Sequence, residues 1–171
     1  MKQIEPPDSH HLSAAEGWLE LGNPCEADLE IRRIAAELRT HPDVLDIRWG
    51  IDAARKRWPE CVEAAEAMMR IAPDRLIGWI HRSYALHELK RTREAFDSLL
   101  PAADLFPKEW LTSYNLACYS CQLDKPEDAL AWLAKALLLG DPNHIKEMAM
   151  KDHDLRPLRA DLAKTWKWAR E

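Results

Sequence analysis

Two consecutive stretches decide the fold: LIGWIHRSYALHELKRTREAFDSLLPAADLFPKE at residues 76–109 and WLTSYNLACYSCQLDKPEDALAWLAKALLLGDPN at residues 110–143. Each is 34 residues long, and they align without a gap. Ala95 falls on Ala129, Leu99 on Leu133, Ala102 on Ala136, and Glu94 on Asp128. The same step taken towards the N-terminus reaches Cys61 and Ala27, Ala65 and Ile31, Met68 and Ile34, and the acids Glu60 and Glu26. Pro73 and Pro107 keep the step as well. A fixed period held in several columns at once marks a repeat architecture.

Each column has a physical reason. The small residue lies where two helices of a hairpin cross closely, and a large side chain there would push them apart. The acid before it sits in the first turn of the second helix, at the positive end of the helix dipole. The next two columns come four and seven residues later, which makes one buried helical stripe. Paired helices are therefore expected near 9–21, 24–40, 44–57, 59–71, 76–89, 92–106, 110–123 and 126–139. Asn23-Pro24 and Asp124-Lys125-Pro126 read as helix starts. Pro101 removes a backbone bond from the 92–106 helix and is expected to bend it from the outer, solvated face. After Asp141-Pro142 the period fails. A short helix over His144–Met150 and a last one from Asp154 to about Arg170 are expected there. The Leu155, Leu158, Leu162 and Trp166 stripe fits a cap over the apolar end of a repeat array.

On these residues the chain resembles the tetratricopeptide repeat family. The copy at 76–109 carries it most clearly, with Trp79, Ser83, Leu86, Ala95, Leu99, Ala102 and Pro107. The copy at 110–143 comes next with Leu116, Ala117, Leu123, Ala129, Leu133 and Ala136. The expected organisation is an N-terminal extension at 1–8, four repeats at 9–42, 43–75, 76–109 and 110–143, and C-terminal capping helices at 144–171. The resemblance implies an all-α, right-handed superhelix (solenoid) of about four helix hairpins with a C-terminal capping helix. Two departures stand out. Trp49 occupies the small slot filled by Ala15, Ser83 and Ala117, and the segment from Ala27 to Pro42 is three residues longer than its counterparts. The first helix of the second copy is therefore expected to be shifted or rotated.

The family binds peptides or protein segments on the concave face lined by the first helix of each pair. Carried over residue by residue, that groove would comprise Ile77, Ile80, His81, Tyr84 and His87 in the third copy. In the fourth it would comprise Leu111, Tyr114, Asn115, Cys118, Cys121 and Gln122. The implied function is a non-catalytic scaffold or adaptor with a protein or peptide partner. Of the family's carboxylate-clamp residues only Asn115 is matched, because Leu12, Glu16, Ile77 and His81 fill the other places, so chaperone-tail binding is excluded. Two alternatives stay open: a self-associating homodimeric scaffold, and a groove covered by the chain's own tail.

Composition narrows the remaining classes. The 171 residues include 24 basic and 29 acidic side chains, mixed along the chain, for a net charge of −5. A clustered basic face for nucleic acid is not expected, and Arg55-Lys56-Arg57 reads as a solvated helix end. No apolar run approaches a membrane span, and Met1–Asp8 lacks the apolar core of a signal peptide, so a cytoplasmic protein without a membrane partner is expected. With only 5 glycines there is no phosphate-cradling loop. Cys25, Cys61, Cys118 and Cys121 read as thiols. Cys118-x-x-Cys121 lies in mid-helix, where no dipole activates a thiol for redox work. With His87 it forms a zinc- or thiol-dependent alternative, against which buried small hydrophobes are the favoured reading. No catalytic residue, metal or cofactor is expected. Trp166-Lys167-Trp168 reads as packing onto the end of the array.

Overall fold

The hairpins begin on a regular grid. The computed structural model describes residues 3–167, and among these there is no strand. Its helices are α1 (Asp8–Glu20), α2 (Pro24–Arg33), α3 (Pro42–Ala54), α4 (Trp58–Ile71), α5 (Leu76–Glu88), α6 (Thr92–Leu99), α7 (Ala102–Leu105), α8 (Trp110–Gln122), α9 (Pro126–Leu139), α10 (Pro142–Lys151) and α11 (Arg159–Thr165). First helices start at 8, 42, 76 and 110, and second helices at 24, 58, 92 and 126, each 34 residues after the last. The turn between them repeats too. Gly22, Lys56, Lys90 and Asp124 all take a left-handed backbone, with φ between 56° and 73°. Only the first is glycine, so the other three turns hold a conformation that costs an L-residue about 1–2 kcal/mol. The chain forms two compact units that divide in sequence at Leu89–Lys90.

In the first unit the repeat columns are core. Ala27, Cys61, Ile31, Ala65, Ile34 and Met68 are all buried. Ile4 packs against the cluster around Ala15, Ala27, Ile34 and Val44, so the first residues described are part of the core and not a loose extension. Asp8 opens α1, and its carboxylate accepts the backbone N–H of Ala35 at 2.8 Å. This bond across 27 residues accounts for the early end of α2, expected to run to 40. Ile34 and Ala35 turn extended, with ψ of 136° and 140°, and a 3-10 turn over Ala36–Leu38 absorbs the three extra residues.

The second copy's first helix is not displaced, because α3 starts on the grid. Trp49 keeps its backbone at the small-residue slot, where its carbonyl accepts from the Cys61 thiol at 3.7 Å. Only the indole ring is turned aside, onto α5. Neighbouring Gly50 allows α1 close, since a Cβ there would stand 2.9 Å from the Leu19 side chain.

In the second unit Ala95, Leu99, Ala102, Ala129, Leu133 and Ala136 are buried. The predicted 92–106 helix is split into α6 and α7 at exposed Pro101. Leu100 and Pro101 retain helical dihedrals, so the ladder loses bonds while the chain keeps its course. The single helix expected from Asp154 onwards is also replaced. Asp152 accepts the N–H of Asp154 at 2.9 Å and turns the chain, a 3-10 turn spans Arg156–Leu158, and only α11 comes after it. Ile145, Ala149, Leu155, Leu158 and Leu162 are buried along this tail. Trp166 is half-buried beneath Lys146, whose Nζ lies 5.9 Å from the ring centroid, and Trp168 lies outside the described residues.

Candidate functional site

Two groups of first-helix side chains bear on function, one in each unit. In the first unit α3 and α5 carry a set of rings. The Trp49 indole lies flat on the His81 imidazole, with centroids 3.7 Å apart and planes 2° from parallel. Tyr84 presents an edge to Trp49 at 6.0 Å and to Trp58 at 5.9 Å. The i, i+3 step puts His81 and Tyr84 on one face of α5, as it does Asp46 and Trp49 on α3. His81 donates from Nε2 to the Asp46 carboxylate at 2.6 Å, which fixes the plane on which Trp49 stacks. The Trp49 Nε1–H is buried without a partner among the described residues. Tyr84 remains 42% exposed in the middle of this set. The face is thus pre-ordered and still open, with an aromatic wall, a carboxylate and an imidazole.

In the second unit the corresponding helix is covered by the chain itself. The Tyr114 hydroxyl donates to Asp152 at 2.9 Å, and the Cys118 thiol reaches the same carboxylate oxygen at 3.5 Å. Gln122 donates to the carbonyl of Asp154 at 2.8 Å. Tyr114 is 3% exposed and Cys118 4%, with Leu155 and Leu158 buried just beyond. Burial pushes the Tyr114 phenol well above its ordinary range, and the neighbouring Cys118 and Asp152 add to it. Burial also raises the Cys118 thiol, with Asp152 and Asp154 adding repulsion to a thiolate. Cys121 is raised by burial and by Asp154. These are protonated, inert thiols.

The predicted groove residues therefore divide. His81 and Tyr84 come together with Asp46, Trp49 and Trp58, none of which the sequence marks as groove residues. Ile80 and His87 are buried, and Ile77 is half-buried. Tyr114, Cys118, Cys121 and Gln122 come together with Asp152 and Asp154 of the tail. Leu111 and Asn115 are half-buried on α8. Only Asp152 and Asp154 left a trace in the sequence, as a pair of acids just past the failing period. The zinc alternative with His87, Cys118 and Cys121 is not the set that the fold gathers. Among the described residues the convergent ligand atoms are those of Cys118, Asp152 and Asp154, within 4.8 Å of one another. Asp152 there already accepts from a phenol, a thiol and a backbone N–H, which is the bonding of a structural anchor.

The fold is that of tetratricopeptide-repeat proteins. The chain is similar to MamA 41-end from Desulfovibrio magneticus RS-1, with a TM-score of 0.71 at 16% identity over 96% of each chain. It is also similar to PilF from Pseudomonas aeruginosa, with a TM-score of 0.75 at 21% identity over 94% of this chain and 69% of that one. No family profile matches the sequence, and no curated protein does. No helix among the described residues is long and apolar enough to cross a membrane.

Proposed function

We propose that the chain is a non-catalytic, cytoplasmic interaction scaffold that holds a segment of a partner protein against the α3–α5 face around His81 and Tyr84. The observation that carries this reading is the exposed Tyr84 ring held edge-on between two tryptophans. A rigid aromatic with accessible area binds at little entropic cost, the property that puts tyrosine and tryptophan at interface centres. Half-buried Ile77 extends the face along α5, and Asp46 offers an acceptor to a partner's backbone or a basic side chain. The helical-repeat fold supports a binding role, since such arrays present rows of side chains from successive first helices.

A photo-crosslinking residue at position 84 tests this in cells. The expected outcome is a discrete adduct from position 84 and none from Glu63, an exposed position on α4. Equal labelling from both positions, or labelling from Glu63 alone, overturns the assignment. A second reading, self-association, draws support from Leu130, Leu138 and Leu139, which are exposed on α9. Light scattering across a concentration series decides it, because a monomer at high concentration rules it out.

A further inference from the structure

We infer that the first unit carries an anion site that takes a phosphate monoester group, built from Arg32, Arg39, Arg48 and Arg57. These four arginines line one cavity of about 290 Å³, together with Asp28 and Ile31. They come from α2, from the 3-10 turn that interrupts the chain after it, from α3 and from the turn into α4. The lining carries four guanidinium groups against one carboxylate, on a chain whose net charge is −5.

The hydrogen bonds account for three of the four. Arg32 pairs with Asp28 at 2.8 Å, and Asp28 also receives Arg55 at 3.4 Å. Arg57 pairs with Asp52. Arg39 donates to the carbonyls of Ile34 and Arg32 at 3.1 and 3.0 Å, which pins its guanidinium at the cavity. Arg48 makes no hydrogen bond or ion pair among the described residues, although Asp52 one turn away feels its charge. A pinned, a paired and an unpaired guanidinium around one concavity leave N–H donors in excess of protein acceptors. The planar fork of arginine matches the oxygens of phosphate two at a time, and such charge-assisted bonds are about twice as strong as neutral ones. The volume sits near the lower bound of small-ligand pockets, about 300 Å³. It fits a phosphate with a small organic group and excludes a dinucleotide. Sequence could not show this, because the four arginines lie 7 to 9 residues apart on separate elements and never form a run.

Isothermal titration of the full chain with inorganic phosphate, and with phosphoserine, tests the site at constant ionic strength. Saturable binding is expected, at least about tenfold weaker in Arg48→Ala. Because Arg48 bonds to nothing in the fold, that variant is expected to melt like the wild type. Arg32→Gln, read the same way, guards against a folding artefact. A free phosphorylated compound and a phosphorylated polypeptide share this chemistry. A phosphoserine-containing peptide that binds more tightly than phosphoserine indicates the polypeptide, and equal affinity indicates the small compound. Heat reproduced by sodium chloride alone, or phosphate binding unchanged in Arg48→Ala, overturns the site.

Discussion

The first-helix faces of the two units start from the same place in the repeat and end differently. On α5, Tyr84 stands among aromatic neighbours with nearly half of its surface in water. On α8, Tyr114 is sealed, its hydroxyl held by Asp152 across 38 residues of chain. Composition alone does not separate them, since both helices mix aromatic, small and polar side chains. The downstream chain does. The segment after α9 turns back through Asp152 and Asp154, and its leucines exclude water from the α8 face. A repeat position thus fixes where a side chain points, while distant chain decides whether it is available to a partner.

The largest test of this contrast is Leu155→Ala. Leu155 is fully buried, so truncation is expected to destabilise by about 2–5 kcal/mol, read as a lowered urea midpoint. Tyr84→Ala removes an exposed ring and two edge contacts, and is expected to cost about 1 kcal/mol. If Leu155→Ala costs no more than Tyr84→Ala, the tail is not a seal. The same variant sharpens the contrast through its thiols. In the wild type only exposed Cys25 is expected to react promptly with a thiol reagent. In Leu155→Ala, Cys118 and Cys121 are expected to react at least about thirtyfold faster, as the lost stability admits more frequent opening. Cys61 in the first unit is expected to stay slow.

The architecture was legible because its cause is periodic. Ala27, Cys61, Ala95 and Ala129 recur every 34 residues, and all four are fully buried. Helix starts come from local chemistry as well: Asn23 accepts the N–H of Glu26 ahead of Pro24. The illegible parts depend on partners far away in sequence. The end of α2 is set by Asp8 reaching Ala35. The fate of the Trp49 ring is set by His81 on another helix. The closure of the α8 face is set by a tail segment that reads, taken alone, as the start of a helix. Tyr84 and His81 were found because the family pattern assigns them to a face. Asp46, Trp49 and Trp58 were not, because Trp49 violates the small-residue column and the pattern gives no rule for a ring that leaves it.

Removing single anchors gives a middle-sized effect. Asp152→Ala strips the acceptor from the buried Tyr114 hydroxyl and from the Cys118 thiol, and is expected to destabilise by about 1–3 kcal/mol. Asp46→Ala removes the acceptor of His81 on the open face. There the carboxylate is 44% exposed and water can replace it, so less than about 1 kcal/mol is expected. Parallel urea titrations compare the two, and equal losses would erase the distinction between a sealed and an open face.

The smallest effect is on alkaline stability. Cys118 has its folded pKa raised above the ordinary 9.0, chiefly by burial and then by Asp152 and Asp154. The fold therefore favours the protonated thiol. The stability that this contributes is fully present below the unfolded value, and is lost as pH rises through the folded one. Between about pH 8 and 9.5 the unfolded thiol ionises while the buried one does not, which removes about 1 kcal/mol. Cys118→Ala cannot lose that increment, so its stability is expected to fall less over the same interval, whatever its value at the lower pH. Cys61→Ala is the counterpart in the first unit, where burial pushes the thiol up to about 12. If the wild type and Cys118→Ala lose stability in parallel while Cys61→Ala does not, Cys118 already meets water, and the tail covers α8 no more closely than the open aromatic face is covered.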